Sequence, residues 1–260
     1  MFGFKKKRIA HEDLPPDIQN KLELLEVEVM EGEDPLPFLK YLAKKFPGYV
    51  PARLNLAMFT LDRGDLAGAR SVYKKVEKDF PDELGAIAGL ATVLAAESKY
   101  DEAQSYAERA LSAGYDWPPC YGVIAEALES RGELESAASY YLEGYRSSPH
   151  SWNYLEQYCR IKGRPFSPPG DEAEPCISLE QLDSLASYVD SAAHTPDSSG
   201  KAPGCDHTFK YAEKWAIENQ VDTIELYQFL NRHGGFCDCE ICFNVTQLLI
   251  EDSVDQGRLQ

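Results

Sequence analysis

Small and apolar residues recur at a fixed interval along the first two-thirds of this chain. Ala57, Ala91 and Ala125 stand 34 residues apart, and Ala69, Ala103 and Ala137 keep the same step. Gly64, Ser98 and Gly132 form a third column. Pro47, Pro81 and Pro149 form a fourth, with Tyr115 in the one place that lacks proline. A short period of this kind predicts a helix, a turn and a second helix in each unit. The two alanine columns let the helices of a pair approach closely. Leu56, Leu90 and Ile124 on first helices, with Tyr73, Ala107 and Tyr141 on second helices, fill the space between pairs. Glycine in the turn adopts a positive φ at little cost. Proline closes the second helix because it lacks an N–H and restricts the residue before it.

The segments GDLAGARSVYKKVEKDFPD and GELESAASYYLEGYRSSPH carry the pattern most fully. In these columns the chain resembles the tetratricopeptide repeat family, as three repeats at 50–83, 84–117 and 118–151. Residues 16–49 read as a degenerate repeat: Pro47 fits, but Pro35 and Glu23 occupy the small positions. Residues 152–162 read as a solvating end helix, which a stack needs over its last apolar face. The resemblance implies a concave groove lined by first helices. Its inward positions are Leu54, Met58 and Leu61, then Ala88, Thr92 and Ala95, then Gly122, Glu126 and Glu129. Such a groove is apolar at one end and acidic at the other. Relatives that clamp a carboxylate tail use Lys, Arg and Asn here, and these positions hold none. The expected partner is a peptide or helix with apolar anchors and a basic end. The same apolar positions would equally serve to pack against the chain's own N-terminal helix or C-terminal domain.

The pattern changes after residue 163. GRPFSPPGDEAEPCI (163–177) has the composition of a linker. Ser178 with Gln181 predicts a capping box, and Leu179, Leu182, Leu185, Ala186 and Val189 predict a helix over 179–191. A polar loop (194–204) carries His194, read as solvated. Phe209, Ala212, Trp215 and Ala216 predict another helix, broken near Gln220. Asp222 then caps a helix through Ile224, Tyr227, Phe229 and Leu230, which Gly234 and Gly235 end. A further helix is expected from Cys237 to about Ile250. Residues 178–252 thus form a small helical domain, with flexible ends at 1–15 and 253–260.

Four of the seven cysteines lie in this last part. No apolar run follows the basic N-terminus, so no secretory signal is read. Clustered Cys and His then point to metal in a reducing compartment rather than to disulfides. Two antiparallel helices of similar length bring the residue before the first beside the residue after the second. Cys205 and His207 should therefore meet Cys237 and Cys239, the ligand set of a tetrahedral Zn²⁺. Cys242, three residues on, is an alternate ligand or a core residue, and His233 is a spare candidate. Asp206 and Asp238 are each expected to cap a helix start. Residues 205–245 also resemble a small bacterial family known as domain of unknown function 2695. The likeness rests on Cys205-Asp206-His207-Thr208, Gly234-Gly235-Phe236, Cys237-Asp238-Cys239-Glu240 and Asn244-Val245. It departs at Cys242, where that family is aliphatic. The resemblance implies a bacterial cytosolic protein and supplies no activity.

Charge narrows the partners. The net charge is −17 and both halves are acidic, a surface that repels phosphate backbones, so nucleic acid is not expected. No apolar stretch reaches the roughly 18 residues of a membrane helix. Lys5, Lys6, Lys7 and Arg8, with Phe2 and Phe4, read as a solubilising terminus. The sequence predicts an all-α, tetratricopeptide-type helical-hairpin solenoid followed by a small zinc-stapled helical domain. It predicts a cytoplasmic adaptor between proteins rather than an enzyme. The alternatives are a zinc enzyme using Glu240 or Asp238 as general base, or a thiol/zinc redox sensor using Cys237, Cys239 and Cys242.

Overall fold

The computed structural model describes residues 7–170, 175–196 and 202–246, and among these every regular element is helical. The expectations for residues 2–6, for the helix beyond 246 and for the tail 253–260 lie outside the described residues. So do parts of the linker (171–174) and of the polar loop (197–201). The chain divides into two compact units, Met1–Glu133 and Leu134–Gln260.

The first unit holds seven helices: α1 (Pro16–Met30), α2 (Leu36–Lys45), α3 (Val50–Asp62), α4 (Leu66–Asp79), α5 (Leu84–Ala96), α6 (Tyr100–Ser112) and α7 (Pro118–Ser130). Helices α3 and α4 pack as a hairpin, as do α5 and α6, and the first helices α3, α5 and α7 touch in succession. That order of contacts is the stack the columns predict. Ala57, Ala91, Ala69 and Ala103 are all 0% exposed, so each repeat closes on a position with no room for a larger side chain. Gly89 goes further: a Cβ there would lie 2.3 Å from the Tyr73 ring.

The turn column has one backbone shape. Gly64, Ser98 and Gly132 have φ of 80, 59 and 78°. Each amide donates back to the helix it ends, Ser98 to the Ala95 carbonyl at 2.8 Å. A serine in the left-handed region carries a steric cost of about 1–2 kcal/mol that glycine does not. Ser98→Gly should therefore raise stability by about 1 kcal/mol, seen as a higher urea midpoint with unchanged slope.

In residues 16–49, read as a degenerate repeat, α1 and α2 contribute to one buried cluster. Leu14, Ile18 and Leu25 share a buried cluster with Leu36, Leu39 and Leu42, and with Tyr49, Ala52 and Leu56. Here Glu23 and Pro35 replace the alanines, so this pair lacks the small face that closes the others. A cleft of about 540 Å³ remains where α1 faces α3.

The second unit contains α8 (Leu134–Ser147), α9 (Trp152–Lys162), α10 (Leu179–His194), α11 (Lys210–Glu218), α12 (Thr223–Arg232) and α13 (Asp238–Glu240), which runs on as a π-wound turn, Ile241–Val245. One core joins them, built on Tyr145, Leu155, Leu182, Leu185, Trp215, Tyr227 and Leu230. Helices α8 and α9, which the repeat phase counts as the end of the stack, share this core with the C-terminal helices. Tyr145 shows how: its hydroxyl donates to Asn231 Oδ1 at 3.1 Å and its ring lies 5.2 Å from that of Tyr227. The local signals also appear as residues. Ser178 and Gln181 form a reciprocal capping box, Gln220 breaks the chain with φ 58°, and Asp222 accepts from the Ile224 and Glu225 amides.

Candidate metal centre

Helix α11 begins without a cap of its own, because Phe209 at its N-cap has no acceptor. Two of its free amides, those of Tyr211 and Ala212, donate instead to the two carboxylate oxygens of Asp238, at 2.8 and 2.9 Å. The Asp238 amide donates in turn to the Thr208 carbonyl at 2.9 Å. The clasp joins the segment before α11 to the segment after α12. Asp238 thus caps a helix start as expected, that of α11, whereas the expectation fails for Asp206, whose bonds lie ahead of any helix. Asp206 closes its own turn, Oδ1 accepting from the Thr208 amide and hydroxyl at 3.2 and 2.6 Å. Asp238 is 1% exposed. Burial raises its pKa to about 6 even though the two amide bonds pull it down.

Each clasped segment brings two candidate ligands. Cys205, His207, Cys237 and Cys239 each offer one ligand atom, and all four atoms lie within 4.8 Å of one another. His207 reaches the corner from a left-handed backbone, φ 62°, a conformation in which His is over-represented among non-glycine residues. Cys237 Sγ and Cys239 Sγ are 3.1 Å apart. In a tetrahedron with Zn–S bonds of about 2.3 Å the sulfur–sulfur edge is about 3.8 Å. The cluster therefore needs shifts of about 1 Å to surround an ion. Burial, with the neighbouring thiols Cys239 and Cys205, pushes the Cys237 thiol far up. A coordinated cation reverses that balance by binding the thiolate. Three sulfurs and one imidazole form a soft to borderline donor set, and this cluster can bind a metal.

The other candidates stand elsewhere. Cys242, the alternate ligand, is outside the four and points to the Ala186 carbonyl at 3.8 Å. His233 is also outside the four, its ring 4.8 Å from that of Phe229. Glu240 Oε2 accepts from the Phe236 amide at 2.8 Å. Both carboxylates considered as general bases are thus engaged by backbone N–H groups.

The groove residues divide by burial. Leu54 and Leu61 pack against the buried cluster of α3, α4 and α5, and Leu54 leans on Gly85. Ala88, Ala95 and Gly122 are buried, and Thr92 and Glu129 half-buried. Met58 and Glu126 are exposed. Leu54 and Leu61 are half-buried, so each packs on that cluster and keeps part of its side chain open. The open apolar surface lies nearer the N-terminus, in the cleft lined by Leu22, Val29, Met30, Tyr49, Met58 and Phe59. Sequence reasoning passes over α1 here because the repeat columns fail in it. The signal is its exposed apolar stripe: Leu24, Val27 and Met30 are 56, 52 and 83% exposed.

The chain thus joins a stack of tetratricopeptide repeats, a fold of protein-interaction scaffolds, to a helical segment with a Cys/His corner. Residues 60–127 match the tetratricopeptide repeat family, and residues 195–244 match a protein family of unknown function, DUF2695. Uncharacterized protein Rv2271 of Mycobacterium tuberculosis and Uncharacterized protein Mb2294 of Mycobacterium bovis are each 39% identical to it over 69 residues. That stretch is 26% of this chain, and the chain spans 63% of the length of these relatives. Among solved structures, MamA 41-end from Desulfovibrio magneticus RS-1 is similar with a TM-score of 0.47 and 18% identity, over 57% of this chain and 85% of that one. TTC0263, a thermophilic TPR protein of Thermus thermophilus, is similar with a TM-score of 0.46 and 22% identity, over 58% and 84%. No helix among the described residues is long and apolar enough to cross a membrane.

Proposed function

We propose that this chain is a cytoplasmic adaptor that holds a basic, apolar-anchored segment of another protein in its repeat unit and carries a zinc-stapled helical unit at its C-terminal end. The observation behind the first part is the α1–α3 cleft. Its floor is apolar, with Met58 41% exposed, and Glu23 stands on its wall. The stretch 23–34, from the second half of α1 into the turn after it, also carries Glu28, Glu31, Glu33 and Asp34. Methionine is a common lining of surfaces that accept helices of varied sequence. Peptides selected from a random library against the chain should therefore carry large apolar residues flanked by Lys or Arg. Their affinity should fall with salt. Met58→Asp should weaken binding about 30-fold, the loss of about 2 kcal/mol of buried side chain, measured by fluorescence anisotropy. Equal affinity in the variant would remove the cleft from the function.

The zinc reading rests on the four converging ligand atoms. Protein purified without chelator should contain about one zinc per chain, and three further thiols should become reactive when it is removed. A redox sensor is the second reading, favoured by Cys205 and Cys239 being only half-buried. There, peroxide would take two electrons from two thiolates and two protons from solvent, forming one disulfide and two waters and releasing the ion. Zinc retained through mild peroxide treatment would leave the staple alone.

A further inference from the structure

We infer that Asp238 is the positioning residue of this metal centre, holding the two ligand pairs opposite each other through the first turn of α11. This rests on the zinc reading. The residue stands between two ligands, Cys237 and Cys239, and its backbone and side chain both reach across to the other pair. The Asp238 amide binds the carbonyl of Thr208, the residue next to His207, and the carboxylate binds the amides of Tyr211 and Ala212. Asp238 is the one buried carboxylate among the described residues. A buried carboxylate needs strong partners, and here each oxygen has a helix N–H at the positive end of the helix dipole. Asp206 and Glu240, the other carboxylates beside the ligands, each bond within their own segment.

The coupling runs both ways. A metal bound to all four ligands fixes the separation of the two segments, and this keeps the Asp238 oxygens on the α11 amides. An intact clasp sets the thiols and the imidazole near their bound positions before the ion arrives. Groups that orient metal ligands in this way commonly change affinity by about 10–100-fold when replaced.

The test uses the full chain, with Zn²⁺ affinity measured by competition against a chromophoric chelator. Asp238→Asn keeps the size and one acceptor, but turns an N–H donor towards the other amide. It should weaken Zn²⁺ binding about 10–100-fold, while Co²⁺ at saturation still shows the thiolate charge-transfer band of the parent. Asp238→Glu should recover part of the loss. Hydrogen exchange at Tyr211 and Ala212 should accelerate on chelation of the parent, and should be fast in Asp238→Asn even with metal at saturation. Equal Zn²⁺ affinity in parent and Asp238→Asn would overturn the inference and leave the zinc centre standing. A parent chain that binds neither Zn²⁺ nor Co²⁺ would overturn the centre itself.

Discussion

With zinc held at this corner as proposed, its removal, or the change Cys237→Ser, is expected to lower the stability of the second unit by about 4 kcal/mol, the linkage from an ion present at about a thousand times its dissociation constant. Cys237 is 2% exposed, so no solvent molecule can easily take its place. Its loss leaves the segments before α11 and after α12 held by the Asp238 clasp and by the core that Phe209 and Ile241 share. The effect should be large but not total. The same unit has a core of its own around Trp215, Tyr227 and Leu230, unlike a zinc finger, which depends wholly on its ion. Trp215 is 2% exposed and reports on that core. In a variant keeping Trp215 as its sole tryptophan, chelator should shift the urea midpoint of fluorescence strongly downward. A midpoint indifferent to chelator would mean that the cluster contributes nothing to the fold.

The second large effect is expected in the repeats. Gly89→Ala should cost about 2–3 kcal/mol, although alanine is the better helix former by about 1 kcal/mol. The new methyl would stand 2.3, 2.4 and 2.8 Å from three atoms of the Tyr73 ring, closer than any non-bonded contact allows. The ring belongs to α4 and is 5% exposed, so it has little freedom to move. Tyr73→Leu on the Gly89→Ala background should recover part of the loss, and a double-mutant cycle in urea would show the coupling. Residues at the same phase in the flanking repeats are Asn55 and Val123. The requirement for glycine therefore belongs to this ring and not to the repeat as such. An alanine variant as stable as the parent would mean that Tyr73 does not sit over α5.

These two cases also show what the amino acids disclose by themselves. The repeat is legible because close helix approach forces a small residue at each crossing. Ala57, Ala91 and Ala125 have to keep step or the pairs would not close. The four ligands are legible because a helical hairpin returns the chain to its starting point, which brings Cys205 beside Cys237 whatever the side chains between do. The direction of Asp238 is not. Chain topology makes two segments neighbours, but which free amides a carboxylate reaches depends on small differences in distance. The α1–α3 cleft is hidden for the opposite reason, since it exists where Glu23 and Pro35 interrupt the columns. The joint core of α8 with the C-terminal helices is illegible too, as Tyr145 fits a repeat equally well.

The candidate ligands come as two pairs on either side of a helical hairpin, Cys205 with His207 and Cys237 with Cys239, and this has a bearing on synthesis. A ribosome delivers the first pair well before the second. Two ligands hold an ion weakly, so firm capture waits until Cys239 has left the exit tunnel and α11 and α12 have turned back on each other. An ion bound there would then close a loop of about 30 residues at one stroke, a modest entropic cost once the hairpin has formed. Loading of the proposed ion would therefore be a late event in the life of the nascent chain, and a translational pause before residue 239 would leave the repeat unit complete and the second unit unsealed.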